Sequence, residues 1–172
     1  TWHENGIMAY GKITDDISYK VGAFSALDLS GGAGDGDKWL RNSRIGSYRN
    51  QNRLGLAGVG RVDYTGINGL LLGASTYVDS DLVMADLHVD YNLDAFRIYG
   101  PYTQSDYSGP ATLADPDDVM QTAVEKAKGG YVNLSYDLLS FTSSNNKMPL
   151  FIQYESVDAQ NEKADGTSGE AI

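Results

Sequence analysis

The chain has 172 residues, enough for one domain with its own core. It contains no cysteine, which excludes a disulfide framework, a thiolate metal site and a cysteine nucleophile. With 23 Asp and Glu against 13 Lys and Arg the net charge is −10, which argues against nonspecific nucleic-acid binding. Gly (20) and Tyr (12) are abundant while Pro is scarce (4), a balance that suits sheet. No run approaches the roughly 18 apolar residues of a membrane helix. That excludes helical membrane proteins only, because barrels cross with alternating segments.

Eight strands are predicted, over 6–14, 17–27, 54–64, 70–78, 82–91, 95–104, 129–138 and 148–158. Five alternate clearly with period 2. Ile17, Tyr19 and Val21 oppose Ser18, Lys20 and Gly22. Leu54, Leu56, Val62 and Tyr64 oppose Gly55, Ala57, Arg61 and Asp63. Val83, Ala85, Leu87, Val89 and Tyr91 oppose Met84, Asp86, His88 and Asp90. Phe96, Ile98 and Tyr102 oppose Arg97, Tyr99 and Thr103, and Val132, Leu134 and Tyr136 oppose Tyr131, Asn133, Ser135 and Asp137. The first, fourth and last strands alternate less cleanly, so their facing is open.

The connections fall at 15–16, 28–53, 65–69, 79–81, 92–94, 105–128 and 139–147, with a tail over 159–172. Odd-numbered connections are short, and the long ones are all even-numbered. In an up-and-down arrangement the two sets lie at opposite ends of the strands, as in outer-membrane barrels with short turns at one end and long loops outside. Asp115-Pro116-Asp117-Asp118 reads as a helix start within 111–128. The apolar-face residues nearest the short turns, Tyr19, Tyr64, Tyr91, Phe96 and Tyr136, are all aromatic, as in a membrane girdle. The alternative is that Tyr is simply a good strand residue.

These patterns carry a resemblance. GRVDYTGINGLLLGAS at 60–75, WLRNSRIGSYRNQN at 39–52, GGYVNLSYDLLS at 129–140 and the opening hairpin WHENGIMAYGKITDDISYKVGAFSALD at 2–28 resemble the bacterial phosphate-selective porins and related outer-membrane porins. The resemblance implies an all-β, antiparallel up-and-down transmembrane barrel of roughly sixteen or more strands, about eight of them here. It implies a passive channel for small hydrophilic solutes or ions, with an anion or phosphate preference, and no enzymatic chemistry or cofactor. Outer-membrane lipid and lipopolysaccharide are the implied surroundings, and a homotrimer the implied assembly. The chain ends Glu170-Ala171-Ile172, without the terminal aromatic of such porins, so an internal portion of a longer protein is expected.

A porin's function lies in its width and its lining charges. The expected lining is Lys20, Arg61, Asp63, Asp86, His88, Asp90, Arg97, Tyr99 and Asn133, together with Asp137, and with Gln153 and Glu155 as further candidates. The set mixes signs and does not dictate selectivity. The segment 28–53 carries Lys38, Arg41, Arg44, Arg49 and Arg53 against Asp28, Asp35 and Asp37, a net of +2 that leaves −12 elsewhere. These residues either pair with acidic neighbours and fasten the loop, the first reading, or form a constriction that contacts anions. The glycine-rich 31–37 before them is too irregular for a calcium or phosphate loop.

No metal or catalytic site is expected. Asp86, His88 and Asp90 share one strand face at about 7 Å spacing, which would hold a divalent cation only loosely and reads better as a wetted wall. Asp115, Asp117 and Asp118 read as solvated loop charge rather than a calcium site. Two other classes remain open. One is a closed eight-stranded membrane barrel acting as anchor or adhesin, which the small residues Gly22, Gly55, Ala57, Gly73 and Ser75 would leave poorly filled. The other is a soluble β-rich binding domain whose apolar faces pack on each other.

Overall fold

The computed structural model describes residues 4–27, 55–108, 124–143, 145–163 and 168. They form one eight-stranded sheet: β1 (Gly6–Lys12), β2 (Ile17–Ser25), β3 (Leu56–Tyr64), β4 (Leu70–Val78), β5 (Leu82–Leu93), β6 (Phe96–Tyr107), β7 (Val124–Asp137) and β8 (Pro149–Lys163). Each strand pairs antiparallel with its sequence neighbours, in the order β1 to β8. The sheet is all-antiparallel, up-and-down and open, with β1 and β8 as its edges.

Turn chemistry sets the short hairpins. Between β1 and β2 the Thr14 hydroxyl accepts from the amides of Asp16 (3.3 Å) and Ile17 (3.1 Å). Gly69 closes the β3–β4 turn at φ +77°, and a side chain there would strike the Asn92 carbonyl, which an added Cβ would approach to 2.1 Å. Asp94, at φ 53°, supplies the left-handed residue of the β5–β6 turn. Between β4 and β5, Asp79 accepts from the amides of Asp81 (2.9 Å) and Leu82 (2.7 Å). A 3-10 turn, Leu138–Phe141, opens the β7–β8 connection and is capped by Asp137.

The register fixes the ends. Ile17 pairs with Tyr64 at one end of β2–β3 and Ser25 with Leu56 at the other. The chain between Ser25 and Leu56 therefore leaves from the end opposite to the 65–69 turn, as loop parity predicts. All eight expected strands are present. Four are longer than alternation indicates: β5 runs to Leu93 rather than 91 and β6 to Tyr107 rather than 104, while β7 begins at Val124 rather than 129 and β8 runs to Lys163 rather than 158. Two register shifts, between Val124 and Lys126 and between Lys126 and Lys128, break the period there. Backbone pairing continues through the extension, and an ion pair, Lys126 Nζ to Glu162 Oε2 at 2.7 Å, spans it. Residues 124–128 are thus strand and not part of a helix. The rest of the 111–128 expectation lies outside the described residues.

Cross-strand pairing also settles the three uncertain strands, because directly paired residues share a face. Ile7, Ala9 and Gly11 of β1 join Ala23, Val21 and Tyr19. On β4, Leu72, Ala74 and Thr76 join Val89, Leu87 and Ala85, which leaves Gly73, Ser75 and Tyr77 on the polar side. On β8, Leu150, Ile152 and Tyr154 join Tyr136, Leu134 and Val132.

On β3, β4, β5 and β7 the apolar face is the more exposed one, while β1 and β8 are open on both faces. On β5 the apolar-face residues Val83, Ala85 and Leu87 are exposed, Leu87 at 65%, while Met84, Asp86 and His88 between them are half-buried. Val62, Leu72, Val132 and Leu134 are exposed on the same face. The one apolar cluster of buried residues described, Leu27, Leu82, Tyr107 and Ala127 with Tyr77 and Met84 against it, lies on the other face, at the end from which the long connections leave.

Candidate functional site

The polar face carries a charged network across β3, β4 and β5. Asp63, Gly73 and His88 are consecutive partners in one cross-strand row, and Arg61, Ser75 and Asp86 in the next. Arg61 Nε donates to both Asp63 oxygens, at 3.0 and 2.8 Å. His88 Nε2 lies 3.0 Å from Asp63 Oδ1, and Nδ1 lies 2.7 Å from Asp86 Oδ1. The Ser75 hydroxyl donates to the other Asp86 oxygen. Asp63 is only 6% exposed, and these contacts are what make its burial tolerable. Both ring nitrogens of His88 are committed to carboxylates on opposite sides, so they do not converge on one ion.

A second network lies toward the short-turn end. Arg97 forks onto Asp90, Nη2 to Oδ2 at 2.5 Å and Nε to Oδ1 at 2.8 Å. Its guanidinium sits 4.4 Å from the centroid of the Tyr99 ring. Tyr99 in turn meets Tyr131 edge-on, with ring centroids 6.1 Å apart. Asn92 also donates to Asp90, at 3.0 Å. Asp90 therefore belongs with Arg97 and does not join Asp86 and His88, so the loose cation arrangement that their spacing allows, and that the sequence reading set aside, is not assembled.

Beyond Tyr99 on the same row, Asn133 is 2% exposed and its amide donates to Gln153 Oε1 at 3.1 Å. Gln153 passes the chain on to Glu155 at 3.3 Å. Lys20 pairs in register with Arg61 and Tyr10, and among the described residues it makes no ion pair. All nine expected lining residues share this face. The structure gathers Arg61, Asp63, Asp86 and His88 into one network and Asp90, Arg97 and Tyr99 into another, with Lys20 and Asn133 outside both. Sequence reasoning left Ser75 and Tyr131 without a chemical role. Ser75 was legible only as a small residue and Tyr131 only as the alternate of Val132.

The aromatic set Tyr19, Tyr64, Tyr91, Phe96 and Tyr136 lies on the apolar face. Phe96 and Tyr136 are direct partners, Tyr64 pairs with Ile17 and Leu72, and Tyr91 with Leu70 and Ile98. Tyr19 sits two residues farther from the turn than Ile17, opposite Val62 and Gly11. Lys38, Arg41, Arg44, Arg49 and Arg53 lie outside the described residues.

Comparison with known proteins adds one relative. The chain is 26% identical, over 92% of its length, to an uncharacterized protein of Aquifex aeolicus (strain VF5), and it spans 40% of that protein's length. No family model matches the chain, and no solved structure matches it.

Proposed function

We propose that this chain is part of the wall of a bacterial outer-membrane porin, a water-filled channel through which small hydrophilic solutes diffuse passively. The observation that carries the reading is the inverted exposure of β5, with Val83, Ala85 and Leu87 open and Asp86 and His88 half-covered between them. In water an apolar face on this scale would be covered by a second layer. Against hydrocarbon it needs no cover, while the charged face lines water.

The open edges support a larger closed wall. Every strand in hydrocarbon must be paired on both sides, and among the described residues β1 and β8 each have a neighbour on one side only. Eight strands in a stretch matching 40% of the Aquifex relative correspond to roughly 20 over a whole chain of that kind, within the range of known barrels. A closed eight-stranded anchor would need β1 to pair with β8. A soluble binding domain would need its apolar face covered, and among the described residues that face is exposed. In the porin reading the long connections point outward toward lipopolysaccharide, the aromatic set anchors the opposite rim, and three copies assemble.

Both described arginines of the polar face are forked by aspartates, Arg61 by Asp63 and Arg97 by Asp90. An anion preference, if the channel has one, therefore rests with the arginines of 28–53, whose first reading is that they fasten the loop. The test is reconstitution of the complete protein into planar lipid bilayers. Stepwise, ohmic conductance is expected. Membrane insertion without conductance would favour an anchor, and a protein that stays monodisperse in water without detergent would favour a soluble domain.

A further inference from the structure

Two tyrosine–carboxylate pairs stand side by side on the polar face. Asp90 and Tyr99 are direct cross-strand partners, and so are Tyr131 and Glu155. The two rings touch edge-to-face. The first pair is filled, because the Arg97 guanidinium lies over the Tyr99 ring and forks onto Asp90. In the second, Glu155 is exposed and is steadied by the Asn133–Gln153–Glu155 amide chain. Among the described residues no cation lies over the Tyr131 ring or pairs with Glu155.

We propose that Tyr131 and Glu155 form a transit site for the guanidinium or alkylammonium group of a small organic cation, a basic amino acid being the simplest such solute. The filled pair beside it shows which chemistry this combination accepts. A tyrosine face attracts a cation through its quadrupole, and a carboxylate adds a charge-assisted hydrogen bond. Among the described residues, anions meet the Glu155 charge and no free guanidinium. Neutral solutes gain neither attraction. The site is open to water on one side, so its affinity is weak, on the order of millimolar, which suits a solute that must also leave. The inference rests on the channel reading for the solute's route, not for the site itself.

The probe is arginine amide, a cation without a carboxylate, titrated into the complete protein in detergent and followed by ligand-observed NMR. Saturable millimolar binding is expected. Glu155→Gln and Tyr131→Leu should each weaken it at least about fivefold, while Tyr131→Phe, which keeps the ring face, should stay within about twofold. Absence of saturable binding overturns the site, and so does equal binding by Glu155→Gln and Tyr131→Leu in protein whose far-ultraviolet circular dichroism is unchanged. Bilayer recordings on the same preparation separate the two readings. Conductance without binding removes the cation site and leaves the channel, whereas binding without conductance removes the channel and leaves the site.

Discussion

His88 reaches across a glycine to Asp63. Its Nε2 lies 3.0 Å from Asp63 Oδ1 two strands away, and Gly73 is the residue between them in the cross-strand row. With Arg61 on one flank and Asp86 and Ser75 on the other, this contact ties β3, β4 and β5 together on the polar face. A Cβ at position 73 would stand 2.1 Å from His88 Nε2 and 2.4 Å from Asp63 Oδ1, so only glycine leaves the path open.

Gly73→Ala should therefore displace the imidazole and deprive a buried carboxylate of one partner. The expected cost is about 1–3 kcal/mol, measured by urea unfolding of the complete protein in lipid vesicles. Gly60→Ala is the matched control. Its Cβ would meet Thr76 Cγ2 at 3.6 Å, an ordinary contact, so its effect should be much smaller.

The two faces should differ in their tolerance of charge. Leu87→Arg places a guanidinium on the exposed apolar face and should cost roughly 2–4 kcal/mol of folding free energy in lipid. Asp86→Arg, one residue away on the other face, should cost markedly less. Equal losses in vesicle-folding assays would count against a lipid-facing apolar surface.

The Arg97–Asp90 fork is bidentate but substantially open to solvent, with side chains 44% and 31% exposed. A double-mutant cycle with Arg97→Gln and Asp90→Asn should return a coupling of about 0.5–1 kcal/mol that declines at high salt. A coupling near zero would mean the fork is incidental to stability.

With the strand arginines forked, anion preference should follow the loop. Neutralising Arg41, Arg44, Arg49 and Arg53 together should lower the anion-to-cation permeability ratio of the complete protein in planar bilayers. The change should shrink in concentrated salt, where the Debye length falls to about 3 Å at 1 M. An unchanged reversal potential across a salt gradient, in a mutant that still conducts, would assign these arginines to fastening the loop.

Five of the eight strands were legible because polarity alternates with the pleat, and the hairpins because Gly69 and Asp94 fall in short connections; Thr14, which holds the β1–β2 turn, read as the end of a strand. The extensions of β7 and β8 were not legible, since polar side chains around Lys126 and Glu162 carry no hydrophobic period. That Arg61 and Asp63 share a face follows from their spacing of two. The Asp63–His88 contact spans 25 positions and depends on the joint register of three strands, which no local pattern encodes. The split of Asp86, His88 and Asp90 between two networks was hidden for the same reason. Arg97 competes for Asp90 only because the β5–β6 turn sets that register.

The central claim is that the apolar face meets lipid and the polar face meets water. These 172 residues contain no cysteine, so single cysteines for spin labels can be introduced among them once any cysteine elsewhere in the complete protein is replaced. Labels at positions 83 to 88, in the complete protein reconstituted in bilayers, report collisions with oxygen, which concentrates in hydrocarbon, and with a water-soluble nickel complex. Labels at Val83, Ala85 and Leu87 should be oxygen-accessible, and labels at Met84, Asp86 and His88 nickel-accessible, with a period of two. The same alternation with the two reagents exchanged, or nickel access at all six positions, would contradict a membrane-spanning wall.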